Sequence, residues 1–158
     1  AKIIDRPKHL ALDSSSTEEV IDHFIKEITS IEHIILLQAT SPLTKTEEIK
    51  RAINLYIYNN FIPLVSVVKE HSFYWDKNGQ PINYDPFNRP RRQDWDGVYK
   101  ENGAIYIFSI DHFKKHQCRA DKICTLFEMN SQSSIEVDSK DDLKLIEYIL
   151  KNEIKSNY

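Results

Sequence analysis

Ile34-Ile35-Leu36-Leu37-Gln38-Ala39-Thr40-Ser41-Pro42-Leu43 is the stretch that decides the fold. Four apolar residues in a row, followed at once by polar groups and a proline, read as a buried strand delivering a loop. A strand apolar on both faces belongs in a sheet covered on both sides, as in α/β proteins. In such sheets ligands bind where the loops leave the carboxyl ends of the strands. Gln38, Thr40 and Ser41 stand at such an end with donors and acceptors but no charge, which suits a neutral, hydroxyl-rich ligand. The alternative is that Thr40 and Ser41 only satisfy turn backbone ahead of Pro42.

Downstream, Thr44-x-x-Glu47 predicts a helix cap, and Ile49, Ala52, Ile53, Tyr56 and Ile57 recur at helical spacing until Asn59-Asn60. Leu64-Val65-Ser66-Val67-Val68 reads as a second buried strand, so strand, helix and strand make a right-handed parallel unit. Upstream, Ser16-x-x-Glu19 is a capping box for a helix whose apolar face is Val20, Ile21, Phe24, Ile25 and Ile28. His23 on that helix is a packed or surface histidine rather than a ligand. Residues 6–13 form an irregular connection, and Ala1-Lys2-Ile3-Ile4-Asp5 reads as the end of a strand.

Toward the C-terminus, Asn102-Gly103 precedes a third strand, Ala104-Ile105-Tyr106-Ile107-Phe108, and Ser109 caps a short helix through about Lys115. Ile123 to Phe127 reads as a further strand and Ile135-Glu136-Val137-Asp138 as a short one. Ser139-x-x-Asp142 caps the last helix, with Leu143, Ile146, Leu150 and Ile154 inward.

Residues 70–95 have a different character. Pro81, Pro86 and Pro90 fall here, Asn78-Gly79 signals a hairpin, and Phe73, Tyr74, Trp75, Tyr84, Phe87 and Trp95 supply aromatic surface. That aromatic content argues against disorder and for an arm packed on a second copy of the chain. Arg91 and Arg92 follow; beside such an arm, one guanidinium fork suits a carboxylate.

With 158 residues the chain is one domain, and its net charge of −3 argues against a nucleic-acid surface despite Arg89, Arg91 and Arg92. No apolar run approaches the roughly 18 residues that span a bilayer, and no secretion signal opens the sequence. Cys118 and Cys124 lack the partners of a zinc motif and read as free thiols in a reducing cytoplasm. The three glycines, at 79, 97 and 103, form no phosphate-cradling loop.

Glu136 and Asp138 place two hard oxygen ligands at the end of one segment, facing a helix start. That arrangement suits Mg²⁺. The alternative gives Asp138 to the helix N-terminus and Glu136 to solvent. No Ser-His-Asp or Cys-His arrangement can be singled out, so no nucleophile is assigned.

Several stretches, in order, resemble the cytidylyltransferases that activate sialic acids and related nine-carbon acids. Arg6-Pro7-x-x-Leu10-Ala11-x-Asp13 resembles the family's stretch after its third strand. Leu36-Leu37-Gln38-Ala39-Thr40-Ser41-Pro42-Leu43 resembles its LLQPTSPL loop, with Ala39 in place of proline. Arg92-Gln93, Asn102-Gly103-Ala104-Ile105-Tyr106 and Ile135-Glu136-Val137-Asp138-Ser139-x-x-Asp142 resemble its R-Q, NGAIY and (D/E)-I-D-T-x-x-D segments.

The resemblance implies a three-layer, nucleotide-diphospho-sugar-transferase-like (Rossmann-like) mixed sheet, with residues 70–95 as an arm lying over the neighbouring subunit of a homodimer. It implies transfer of CMP from CTP to a nonulosonic acid with Mg²⁺, held by Asp138 and its companion Glu136. Gln38, Asn102 and Tyr106 would line the sugar site, Arg92 would face the sugar carboxylate, and Arg6, Ser15 and Thr17 would lie near the cytidine. Trp75 stands where some members place a lysine, and Arg119-Ala120 where some carry an aromatic pair. The family's N-terminal strand and glycine-containing phosphate loop have no counterpart in these residues. The chain is therefore expected to correspond to roughly the last two-thirds of such a domain and to bind CTP poorly alone. A sugar-binding or dimerising remnant without catalysis is the alternative.

Overall fold

A computed structural model describes residues 3–28, 30–133 and 135–156, with side chains through Asn152. Its elements are α1 (Thr17–Glu27), β1 (His33–Leu37), α2 (Thr46–Tyr58), β2 (Leu64–Glu70), β3 (Val98–Ser109), α3 (Ile110–His116), β4 (Thr125–Glu128) and α4 (Lys140–Ser156). The strands lie in the order β1-β3-β2-β4; β3 runs antiparallel to both β1 and β2, and β4 runs parallel to β2. The sheet is mixed. β1 and β2 point the same way but are not neighbours, because β3 lies between them.

The period-two alternation of β3 builds two cores. Tyr106 and Phe108 point to one side, where they meet Ile34, Val65, Val67, Ile21 of α1, and Ile110 and Phe113 of α3. Ala104, Ile105 and Ile107 belong to the other, with Leu64, Phe127, Met129, and Ala52 and Tyr56 of α2. Helices cover both faces, which is the three-layer arrangement expected.

The helix starts follow local chemistry. Ser16 Oγ accepts from Glu19 N at 3.2 Å while Ser16 N donates to Glu19 Oε2 at 2.8 Å, completing the α1 capping box. At α4, Ser139 N donates to Asp142 Oδ2 at 2.8 Å and Asp142 N to Ser139 Oγ at 3.3 Å. α2 begins one residue later than the Thr44 cap predicts. Thr44 Oγ1 turns back to the Ser41 carbonyl at 3.0 Å, and Glu48, not Glu47, receives the Lys45 N–H at 2.9 Å.

Several expectations are corrected. β1 is not buried on both faces: Ile35 and Leu37 are 41% and 47% exposed, and β1 is an edge strand of the sheet among the described residues. An apolar run by itself does not distinguish a central strand from an edge one. Ile135-Glu136-Val137-Asp138 is not a strand but an irregular segment, tied to the loop after β1 by Val137 N donating to Thr40 O at 2.8 Å. β3 starts at Val98, so Asn102-Gly103 lies inside the strand rather than ahead of it. Ile3–Asp5 are not in a strand; Ala1, Lys2 and the Ile154 side chain lie outside the described residues. Among the described residues, no helix is long and apolar enough to cross a membrane.

Residues 70–95 form a hairpin-tipped excursion. Asp76 N donates to Gln80 O at 2.8 Å around the Asn78-Gly79 turn, and Trp75 bridges Pro81. Phe73 lies between Tyr84 (4.2 Å) and Trp95 (4.7 Å) with the Arg89 guanidinium 4.4 Å above its ring, so the arm carries a small core of its own.

Candidate functional site at the β3 bulge

β2 and β3 stay in register up to Val65↔Tyr106 and resume only at Val67↔Glu101. One residue of β2 thus faces four of β3, and Asn102-Gly103-Ala104-Ile105 swells into a bulge. Ser66 stitches the gap: its Oγ donates to Asn102 Oδ1 at 2.6 Å and accepts from Ile105 N at 2.8 Å. Asn102 is only 2% exposed, with Oδ1 also accepting from Ala104 N and Nδ2 donating to Met129 Sδ. Its side chain supports the bulge from within.

Gly103 is what the bulge delivers. Its φ of 66° lies in the left-handed region, and a Cβ there would collide with Glu136 Oε1 and stand 2.8 Å from Gln38 Oε1. Gln38, Gly103 and Glu136, from three separate stretches of chain, therefore meet at one corner at the carboxyl end of β1. The Thr40–Val137 bond holds the first and third stretches together.

The corner is acidic. Burial, and then the negative charges of Asp138 and Glu101, push the Glu136 carboxyl above its ordinary range, while Lys100 opposes the shift. Asp138 is exposed beside it. Asp142 is committed to Ser139, whose hydroxyl and backbone hold its carboxyl below the usual range. Two neighbouring carboxylates, one partly desolvated, are a donor set suited to a hard divalent cation.

A second wall forms around Tyr106 of β3. Tyr106 OH donates to Glu101 Oε1 at 2.5 Å, and Arg119 lies 4.5 Å over the Tyr106 ring while pairing with Glu18 at 2.5 Å. Burial, reinforced by Glu101, pushes the Tyr106 hydroxyl up to about 12. Arg119 thus closes over Tyr106 and ties it to the first turn of α1.

Other candidates take varied places. Ser41 is 4% exposed and its Oγ has no hydrogen-bond partner among the described residues; the turn is held instead by Ser41 N to Gln38 O (3.1 Å) and by Thr44. Thr40 is exposed. Arg6 is exposed, Ser15 Oγ donates to His9 O at 3.2 Å, and Thr17 opens α1 beside Glu18. Arg92 is exposed on a 3-10 turn (Arg92–Asp94), where Arg91 is paired with Asp94 at 2.6 Å. Sequence reasoning missed Ser66, Glu101, Glu18 and the closure of Arg119 over Tyr106. The one local signal was an Asn-Gly pair embedded in a strand-forming run, which also marks bulges.

The chain as a whole is similar to known proteins. The chain is 39% identical over 116 residues to an N-acylneuraminate cytidylyltransferase from Oncorhynchus mykiss, covering 69% of this chain and 27% of that protein. It is 32% identical over 145 residues to N-acylneuraminate cytidylyltransferase A from Danio rerio, covering 87% of this chain and 34% of that one. The chain is a homologue of the N-acylneuraminate cytidylyltransferases. It spans about a third, or less, of the length of these relatives. No protein-family model matches the chain. The crystal structure of 4-diphosphocytidyl-2C-methyl-D-erythritol synthase from Anaerococcus prevotii superposes with a TM-score of 0.61 at 13% identity, over 87% of this chain and 68% of that one. The fold is thus the mixed α/β sheet of the nucleotide-diphospho-sugar transferases.

Proposed function

We propose that the protein containing this chain is a CMP-sialate-type cytidylyltransferase, joining CMP from CTP to a nonulosonic acid with release of pyrophosphate. The observation that carries this reading is the corner where Gln38, Gly103 and Glu136 meet, built from the segments that resemble the family's loops. The anomeric hydroxyl oxygen of the sugar forms a bond to the α-phosphorus of CTP. The bond from that phosphorus to the α–β bridging oxygen breaks, its electron pair leaves with pyrophosphate, and the hydroxyl proton is released. Catalysis of this type consists largely of positioning and charge stabilisation.

In this reading Gln38, with Thr40 and Ser41 behind it, presents neutral hydrogen-bonding groups to the sugar. Asn102 and Tyr106 fix the wall on which it rests, and Arg92, reaching from a second subunit, meets its carboxylate. Arg6, Ser15 and Thr17 lie toward the cytidine. Glu136 and Asp138 would hold Mg²⁺, whose charge would offset that of the triphosphate; the raised proton affinity of Glu136 beside Asp138 supports that fit. The exposed apolar groups of the arm support a homodimer, with Phe87 99% exposed. Free Cys118 and Cys124 are in keeping with a cytoplasmic setting.

The test is pyrophosphate release from CTP and Mg²⁺ with a panel of nine-carbon 2-keto acids, using the longest product of the gene. Asp138→Ala is expected to lower turnover by about 10²-fold or more, as loss of a principal charge-stabilising ligand does. Full activity in that variant would remove Asp138 from the cation site. Sugar binding without turnover in the parent protein would instead favour a non-catalytic sugar-binding domain.

A further inference from the structure

We propose that His112, His116 and Asp121 form a binding site for a divalent transition metal of the zinc class, outside the Gln38–Glu136 corner. The two histidines are four residues apart on α3 and so share one face, with their rings stacked 4.7 Å apart. Gln117 ends the helix in the left-handed region (φ 50°), which turns the chain back and brings residues 118–121 alongside α3. Asp121 is held in place there: its N–H donates to Cys124 Sγ at 3.2 Å, and its Oδ1 accepts from Lys122 N at 2.6 Å.

The hydrogen bonding of His112 points to a cation. Its side chain is 10% exposed, and Nε2 lies 3.2 Å from the Ala120 carbonyl, an acceptor that requires the proton on Nε2. Nδ1 is then left to face Asp121 Oδ2 at 3.8 Å. That separation is too long for a direct hydrogen bond. It matches two donors that each lie about 2.0–2.2 Å from one shared metal ion. A ligating imidazole that gives its other N–H to a backbone carbonyl is the usual outer-shell arrangement of metal-bound histidine. One ligand atom from each of the three residues lies within 4.8 Å of the other two, and His116 is exposed and has room to close the remaining gap. Two imidazoles and one carboxylate suit Zn²⁺ or Co²⁺ over the harder Mg²⁺.

An ion there would pin residues 117–121 to α3. Arg119 belongs to that segment, so the metal would hold the guanidinium over Tyr106 and against Glu18.

Co²⁺ is the probe, added to chelator-treated, tag-free protein and followed by visible absorption. Stoichiometric binding with ligand-field bands is expected, unaffected by millimolar Mg²⁺. His116→Ala and Asp121→Asn, both at exposed positions, should each weaken it at least tenfold while far-ultraviolet circular dichroism is unchanged. Co²⁺ should also raise the thermal midpoint of the parent protein but not of His116→Ala. Absence of ligand-field bands, equal binding by His116→Ala, or a sulfur-to-cobalt charge-transfer band placing the ion on a cysteine would each overturn the proposal.

Discussion

Gly103 is where one missing methyl group decides whether the corner exists. Its left-handed φ and the approach of Glu136 and Gln38 leave no room for a Cβ. Gly103→Ala is therefore expected to push the Glu136 carboxylate aside while the sheet remains folded. Turnover in the pyrophosphate assay should fall by about 10²-fold, the usual effect of displacing a positioned group by about an ångström. Near-normal turnover would mean that the corner is not where chemistry occurs. Glu136 gives a second prediction, for protein free of divalent cation. Its carboxyl binds a proton more tightly in the folded state than in the unfolded one. Stability should accordingly fall as pH rises from the ordinary glutamate range through the raised value, and the cost persists above it. Glu136→Gln removes that cost, so its thermal midpoint at neutral pH should exceed the parent's and vary less over this window. A lower midpoint for the variant would contradict the assignment.

At the scale of elements, the bulge in β3 depends on one hydroxyl. Ser66 is buried and bridges Asn102 Oδ1 and Ile105 N. Ser66→Ala leaves a buried donor and a buried acceptor short of a partner, a loss of about 1–3 kcal/mol, measurable by denaturant unfolding. A change much smaller than that would show that the bulge is held by the surrounding chain instead. This element also marks the limit of reading the sequence. Ala104–Phe108 is legible as a strand from its apolar run, and Asn-Gly as a place where the backbone departs from it. That the departure is a bulge within one long strand follows only from pairing with β2, which lies more than thirty residues upstream. The helices are more legible, because a cap and an apolar face are set within a turn or two. The α2 cap slipped by one residue because Ser41, a residue of the preceding turn, captured Thr44.

For the molecule as a whole, the arm and the sheet have different relations to solvent. The sheet holds an apolar core on each face, with Ile35, Leu37 and Leu126 of its edge strands exposed, whereas the arm covers Phe73 with its own Tyr84, Trp95 and Arg89 but leaves Ile82 and Phe87 outside. Phe87→Glu should leave the arm folded, since that ring is almost wholly exposed. If the arm docks on a second subunit, the variant should shift sedimentation toward monomer and lower turnover together, because Arg92 would no longer reach the neighbouring site. An unchanged sedimentation profile would separate Phe87 from any dimer contact.

Local pattern by itself determined the α/β class, the starts of α1 and α4 to within a residue, the hairpin tip of the arm, and the loop after β1 as a place for polar groups. Each rests on interactions between residues at most a few positions apart. Only the tertiary structure decided that β1 lies at the edge of the described sheet, that β3 separates it from β2, and that residues 135–138 are irregular. It alone brought Gln38, Gly103 and Glu136 together, and it set Arg119 against Glu18, 101 positions away. The reason is physical: strand order, bulge position and these contacts are fixed by which distant surfaces exclude water from each other, and no periodicity within one segment encodes its neighbour.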